Sequence, residues 1–92
     1  MSDSPAKWQV LIQRRAEKSL RRLDKPLRQR IRQVINQLAT DPRPQGCKKL
    51  AGYDDLYRMR VGNWRISYAI EDDQLIVLVV EIASRGRAYR NL

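Results

Sequence analysis

Three arginines lie in one short segment, YRMRVGNWRISY, whose alternating pattern predicts a β-hairpin. Gly62-Asn63 forms a two-residue turn in which both residues tolerate positive φ, so Arg60 is expected directly opposite Arg65. Like charges that face each other across a sheet lower its stability. Because a guanidinium group matches two oxygens of a phosphate at once, this arrangement indicates an anion site.

The same register divides the hairpin into two faces. One face is predicted to pack under helices and carries Tyr57, Met59, Val61, Trp64, Ile66 and Tyr68. The other face carries Arg58, Arg60, Arg65 and Ser67. The alternative to a phosphate site is that the arginines splay into water and contact acidic neighbours such as Asp72 or Asp73.

Two basic segments flank the hairpin and could extend its charged face. Ahead of it, GCKKLAGYDD contains Lys48 and Lys49, which are candidate RNA- or ribosome-binding residues or part of an ordinary solvated loop. After the last predicted strand, SRGRAYRNL contributes Arg85, Arg87, Tyr89 and Arg90. An aromatic ring between cations can stack on an unpaired RNA base. Tyr89 would serve that purpose, or it would close the edge of the core.

The chain offers little conventional catalytic chemistry. It has no histidine, and no cluster of His, Cys or carboxylates shows the spacing of metal ligands, so neither a metal nor a cofactor is predicted. Asp54 and Asp55 are adjacent, and on an extended segment they point to opposite sides. Arginines can stabilise charge while the 2′-hydroxyl of RNA attacks the adjacent phosphorus, with Lys or Tyr as proton carrier. Arginine itself stays protonated, so the base is not identified.

The overall charge favours a polyanionic partner. Nineteen Lys and Arg residues against ten Asp and Glu give a net charge of +9 and an isoelectric point near 10.5. Such an excess attracts nucleic acid through counterion release and long-range steering. The alternative is a basic surface that is merely solvated.

The N-terminal half predicts a strand followed by two helices. Residues Lys7–Gln13 alternate as a short strand, and a helix from about Arg14 places Ala16, Leu20 and Leu23 on one face. Asp24 and Pro26 then suit the start of a second helix. The apolar positions of that helix are Leu27, Ile31, Val34, Ile35 and Leu38, and it ends before Asp41-Pro42.

The C-terminal half predicts three strands, Leu56–Val61, Trp64–Ile70 and Leu75–Ile82, with a second turn over Glu71–Gln74. The last strand is apolar nearly throughout, which indicates a central position with both faces covered. The order β-α-α-β-β-β predicts an α+β fold with two N-terminal helices packed on a small antiparallel sheet.

Length and composition set the remaining bounds. Ninety-two residues suffice for a single domain over residues 1–92. No apolar run approaches the roughly 20 residues that cross a membrane, and the N-terminus lacks the order of a secretory signal. The lone Cys47 forms no internal disulfide. A cytoplasmic location is therefore expected.

The sequence resembles the RelE/ParE toxin superfamily, and the RelE branch in particular, over essentially the whole chain. The most specific parts are L.G..D.YR.R.G..R..Y.I, from Leu50 to Ile70, and the terminal R...YR, from Arg85 to Arg90. The resemblance implies a RelE-like fold and a bacterial toxin that enters the 30S A site of the ribosome and cleaves mRNA. It also implies a RelB-like antitoxin as partner, and operator DNA bound indirectly through the toxin–antitoxin complex.

The resemblance also implies a role for each matching position. Arg58 and Arg60 match two basic strand residues that contact or activate the substrate, where the best-known branch has lysines. Arg65 and Arg85 match arginines that contact the scissile phosphate, and Tyr89 matches a tyrosine that stacks on or helps activate the nucleotide. With arginines in place of lysines, Tyr89, Lys48 or a ribosomal group would share the proton transfer.

Two rival functions remain open at this point. The ParE branch has the same fold but poisons DNA gyrase, and the terminal arginine–tyrosine cluster argues for the nuclease branch instead. The other rival is a non-catalytic module that binds RNA or the ribosome and cuts nothing.

Overall fold

The computed structural model describes residues 7–53 and 55–84. Their elements, in chain order, are β1 (Gln9–Ile12), α1 (Arg14–Arg21), α2 (Lys25–Gln37), β2 (Lys48–Lys49), β3 (Leu56–Val61), β4 (Trp64–Glu71) and β5 (Ile76–Ser84). This order confirms the predicted β-α-α-β-β-β succession. It adds the two-residue strand β2, which is too short to show an alternating pattern in the sequence.

Both helices form where their apolar spacing predicts them. In α1, Ala16 and Leu20 are fully buried, and Leu23 continues the same stripe just beyond the helix. The second helix buries Ile31 and Ile35 and ends at Gln37, with Leu38 as its C-cap residue. Asp24 is the N-cap residue of α2 and has extended backbone angles, but its side chain makes no capping hydrogen bond. The helix therefore starts from backbone geometry and from Pro26 in its first turn.

The five strands form one sheet in the order β1-β5-β4-β3-β2. Strands β2 to β5 pair in antiparallel fashion, as predicted, but β1 pairs with β5 in parallel, from Gln9 opposite Ile76 to Ile12 opposite Val79. The sheet is therefore mixed rather than purely antiparallel. Strand β5 lies between β1 and β4, which explains its apolar composition, although β4 is the middle strand.

The hairpin of β3 and β4 has the predicted register. Val61 pairs with Trp64, Arg60 with Arg65, and Tyr57 with Tyr68. Gly62 has a φ of 61°, whereas Asn63 does not enter the positive-φ region. Positive φ at the first central residue alone is the pattern of a type II′ turn, so only the glycine is needed for its backbone.

A β-bulge interrupts the pairing of β4 with β5. Ser67 pairs with Glu81, but the next residue, Tyr68, pairs with Val79, so Val80 is the extra residue on β5. The bulge keeps both Val79 and Ile82 among the buried core residues. Without it, period-two alternation would send one of them to the opposite face.

The helices cover one face of the sheet and form the core with it. Its strand members include Val61, Ile66, Tyr68, Ile70, Val77, Val79 and Ile82. Burying one such side chain completely contributes roughly 1.5–3 kcal/mol. Neither of the two helices described is long and apolar enough to cross a membrane.

A candidate nucleic-acid interface on the sheet

Four cationic side chains share the sheet face that lies opposite the helices. Lys48 pairs with Arg58, which pairs with Ser67 on the next strand. In the neighbouring row, Arg60 pairs with Arg65. Directly opposed Cβ atoms lie roughly 4.5–5.5 Å apart, so the two rows bring four positive charges onto one small area. We call Lys48, Arg58, Arg60 and Arg65 the sheet-face cations.

The sheet-face cations differ strongly in exposure. Arg60 is exposed and Arg58 is half-buried, but Arg65 keeps only 6% of its surface accessible. Arg65 was expected on an open face, and that expectation is wrong for the side chain although right for the register. Because β4 is the middle strand, Arg65 pairs with Arg60 on one side and with Ala83 on the other.

A buried arginine remains charged, because guanidinium does not give up its proton in proteins. Removing this charge from water raises the free energy of the folded protein, and an anion bound beside Arg65 would offset that cost. The side chain is also held by its neighbours, so little rotamer entropy is lost when an anion arrives. Arg65 is therefore the most preorganised of the sheet-face cations.

The predicted alternative partner of the arginines, Asp72, is held elsewhere. Arg43 donates two hydrogen bonds to its carboxylate, from Nη1 to Oδ1 at 3.2 Å and from Nη2 to Oδ2 at 2.9 Å. This pair lowers the pKa of Asp72 and raises that of Arg43. Among residues 7–53 and 55–84, the ion pairs include none between Asp73 and a hairpin arginine.

Arg43 belongs to a contact network that the sequence did not indicate. Its Nε donates to the Tyr57 hydroxyl at 3.2 Å, and its Cζ lies 5.1 Å from the centre of the Tyr57 ring. The Tyr57 and Tyr68 rings stack with centroids 6.2 Å apart, and the Tyr68 hydroxyl donates to the Pro42 carbonyl at 2.9 Å. Burial raises the pKa of Tyr68, and the Cys47 thiol adds to that shift.

This network fixes β3 from the helix side and so positions the sheet-face cations. Tyr57 directly precedes Arg58, and alternation sends the two side chains to opposite faces. Anchoring Tyr57 to Arg43 and Tyr68 therefore limits the movement of the strand that carries Arg58 and Arg60. The facing pair of tyrosines in the predicted register was the one available signal for it.

The structure separates two lysines that the sequence had grouped. Lys48 pairs with Arg58 and shares its face, whereas Lys49 pairs with Tyr57 and lies towards the helix side. The four remaining candidates, Arg85, Arg87, Tyr89 and Arg90, lie outside the described residues.

A carboxylate that the sequence pattern did not single out lies in the same row. Glu81 pairs with Ser67, so Lys48, Arg58, Ser67 and Glu81 follow one another across four strands. Its Oε2 lies 3.8 Å from Nη2 of Arg15, and its side chain is 22% exposed. The bulge at Val80 breaks the period-two alternation of β5, so the sequence pattern does not show which residues share a sheet face with Glu81. Within the part of the chain described, no group of three His, Cys, Asp or Glu residues could hold a metal ion.

The fold is a small α+β domain with a basic sheet face, and comparison with known proteins identifies its class. The profile of the ParE toxin of type II toxin–antitoxin systems, parDE, matches residues 10–89. A protein of Methanocaldococcus jannaschii named as a RelE1 toxin is 33% identical over 88 residues, covering 92% of this chain and 98% of its own length. The chain belongs to the RelE/ParE toxin superfamily and is a toxin of a toxin–antitoxin system.

Solved structures agree on the fold. The archaeal RelE–RelB complex from Pyrococcus horikoshii contains a chain similar to this one with a TM-score of 0.79 and 28% identity, covering 88% of this chain and 98% of that one. A mutant of the Escherichia coli toxin RelE in the free state is similar with a TM-score of 0.76 and 21% identity, over 90% and 88% of the two chains. The likeness to that mutant concerns the fold alone.

Proposed function

We propose that this protein is a ribosome-dependent endoribonuclease that cleaves mRNA in the 30S A site without a metal. The observation that carries the proposal is the gathering of the sheet-face cations, with Arg65 buried among its strand neighbours. A phosphate bound there would meet charges already in place. Fixed positive charges of this kind stabilise negative charge that develops in a transition state.

The reaction would follow from that geometry in a few steps. Arg65 and Arg60 would hold the scissile phosphate. Arg58 would orient the nucleotide that lies on the 5′ side of that phosphate. The 2′-oxygen attacks phosphorus and the bond to the 5′-oxygen breaks; the 5′-oxygen takes a proton from water, and a 2′,3′-cyclic phosphate and a 5′-hydroxyl result. Arg85 and Tyr89 complete the proposed catalytic set by family resemblance, and Lys48, Lys49, Arg87 and Arg90 the proposed RNA- and ribosome-binding set.

The proton of the 2′-hydroxyl needs an acceptor other than arginine. In the described part of the chain, Glu81 is a carboxylate in the same row as Arg58, and it joins Tyr89 and Lys48 as a candidate. Replacing Glu81 with glutamine keeps its size and removes its basicity. If Glu81 accepts the proton, Glu81→Gln lowers the rate of cleavage, whereas a role limited to the ion pair with Arg15 lowers thermal stability and leaves the rate unchanged.

The expected partner is an antitoxin. RelE–RelB complexes are among the solved structures similar to this chain, so we propose a RelB-like partner encoded by a neighbouring gene. An acidic or amphipathic segment that folds on binding would cover basic surface. Operator DNA would then be bound through that complex, and the free toxin would act in the cytoplasm. A gene without such a neighbour, whose product is harmless on induction, would count against this.

A programmed translation reaction tests the proposal directly. Purified protein is added to ribosomes stalled with a defined codon in the A site, and cuts are mapped by primer extension. We expect one cut within the A-site codon, retained in EDTA concentrations that leave the ribosomes intact. The absence of cleavage by the wild-type protein would exclude the nuclease function and leave the ParE activity and the non-catalytic binding module.

Poisoning of DNA gyrase is the second candidate, and the match to the ParE toxin profile favours it. The discriminating measurement is a gyrase supercoiling reaction with the same protein preparation. Accumulation of cleaved DNA there, with no cut in the translation reaction, would assign the chain to the ParE activity.

A further inference from the structure

The positive charge of this protein is concentrated in the two helices, which pack on the other face of the sheet from the sheet-face cations, although Arg15 at the start of α1 reaches Glu81. Residues 14–37 hold nine of the nineteen Lys and Arg residues but two of the ten acidic ones, which is +7 of the net +9. Eight of those nine cations are exposed, and Arg28 is half-buried. The proposed cleavage chemistry uses none of them.

Helical spacing arranges six of these cations in two adjacent stripes. On α1, Arg14, Lys18 and Arg21 recur at i, i+4 and i+7, opposite the buried Ala16 and Leu20. On α2, Lys25, Arg28 and Arg32 recur at i, i+3 and i+7. Side chains at this spacing are neighbours on a helix surface, with Cβ atoms roughly 5–6 Å apart.

Glu17 joins the two stripes into one surface. Its Oε2 accepts from Nε of Arg21 at 3.4 Å and lies 3.6 Å from Nη2 of Arg32 on the other helix. Glu17 therefore brings Arg21 of one stripe close to Arg32 of the other. We call Arg14, Lys18, Arg21, Lys25, Arg28 and Arg32 the basic helix surface. Within residues 7–53 and 55–84, four of the six have neither an ion pair nor a side-chain hydrogen bond: Arg14, Lys18, Lys25 and Arg28.

Part of this surface opposes helix formation. Lys18 and Arg21 lie in the last turn of α1, where cations are favourable, but Arg14 and Lys25 lie in the first turns of α1 and α2, where cations oppose the helix dipole. Like charges at i, i+4, such as Arg14 with Lys18 and Arg28 with Arg32, lower helix stability further. A partner that carries negative charge would offset these costs.

We propose that the basic helix surface binds the phosphate backbone of duplex RNA, independently of the sheet-face cations. The exposed side chains there are polar, and the apolar stripes of both helices are buried in the core, so the surface lacks the apolar area that membrane insertion requires. It also lacks an exposed apolar anchor of the kind that dominates peptide recognition. The choice of RNA over DNA rests on the proposed function.

The chain offers a matched pair of double variants to test this. Arg14→Gln with Lys18→Gln removes two cations from the surface, and Arg30→Gln with Lys7→Gln removes one Arg and one Lys outside it. All four are exposed, and none has an ion pair within the described ranges. Arg30 lies two positions from both Arg28 and Arg32, on the other side of α2.

Fluorescence anisotropy with a short labelled RNA duplex, titrated at several salt concentrations, gives the readout. We expect the surface variant to bind about tenfold more weakly at 0.1 M salt. The slope of log K against log salt should fall by about 0.9 for each phosphate that the variant no longer neutralises. The control variant should bind within about twofold of wild type, because Arg30 and Lys7 lie outside the surface and their replacement leaves the number of neutralised phosphates unchanged.

Other outcomes overturn the proposal. Equal losses in both variants would show that net charge alone attracts RNA, and no loss in either would place the binding elsewhere. Tighter binding to a DNA duplex of the same sequence than to the RNA duplex would assign the surface to DNA. Tighter binding to anionic lipid vesicles than to the RNA duplex would assign the surface to a membrane. Arg60→Ala should keep duplex binding while its rate of cleavage falls by about tenfold. Because this titration involves no cleavage, a failure of the proposed nuclease function leaves its result readable.

Discussion

The arginines of the sheet face and those of the helices differ in how firmly they are held. Arg65 is buried and Arg58 half-buried on the strands, whereas the side chains of Arg15 and Arg21 on α1 are 70% and 74% exposed. Fixing a free arginine side chain costs about 2 kcal/mol of rotamer entropy, a cost already met during folding for a buried one. Arginine side chains that are held in place are suited to stabilising a transition state, and mobile ones are suited to attracting a polyanion over a distance.

The largest effect is expected at the most firmly held charge. Arg65→Ala should reduce the rate of A-site cleavage about 10²- to 10³-fold, because one preorganised donor to a developing negative charge contributes that much. Since the side chain is buried, the variant should also unfold at a lower temperature, which circular dichroism would measure. Arg30→Ala is the matched control and should cleave at the wild-type rate. If both variants cleave equally well, burial does not mark the catalytic arginine.

Arg60 is the exposed arginine that pairs with Arg65 in the same row. Arg60→Ala should lower cleavage by about tenfold, less than Arg65→Ala, because an exposed guanidinium is less well positioned for a phosphate. Its thermal stability should be unchanged or slightly higher, since the variant relieves the opposition with Arg65. A greater loss of cleavage than at Arg65 would reverse the proposed ranking.

The hairpin and its register were predictable from the sequence, whereas the burial of its arginine side chains was not. Gly62-Asn63 and the period-two pattern are local, so Arg60 opposite Arg65 followed from twelve residues of sequence. The parallel pairing of Gln9 with Ile76, and hence the mixed sheet, joins segments far apart in the chain. Burial of Arg65 arises only in the assembled fold, and the contacts of Arg43 cross three segments. Local pattern carries none of that information.

The helix-side anchoring of β3 gives a smaller prediction, on stability rather than cleavage. Tyr68→Phe removes the hydrogen bond to the Pro42 carbonyl and should lower the free energy of unfolding by about 1 kcal/mol. Cleavage should persist, because the ring still stacks on Tyr57. Urea denaturation of wild type and variant gives the difference. An unchanged unfolding free energy together with abolished cleavage would move Tyr68 from the anchoring network into the site.

The smallest effect concerns the exposed pair of Arg43 and Asp72. The pKa of Asp72 is lowered in the folded protein, so the pair stabilises the fold above the ordinary aspartate pKa of about 4, and that contribution is lost as the pH falls through the lowered value. Asp72→Asn should lower the melting temperature slightly at pH 7, and the difference should vanish in strong acid. A difference that persists in acid would mean that charge is not its cause.

The parallel pairing of β1 with β5 also bears on how the chain folds while it is being made. Strand β1 and both helices leave the ribosome long before residues 76–79, yet β1 has its sheet partner only there. Contacts so distant in sequence form slowly and late. The nascent N-terminal half therefore carries its basic helices before the sheet that would arrange the sheet-face cations is complete. Synthesis order would thus delay activity on the ribosome that produces the chain.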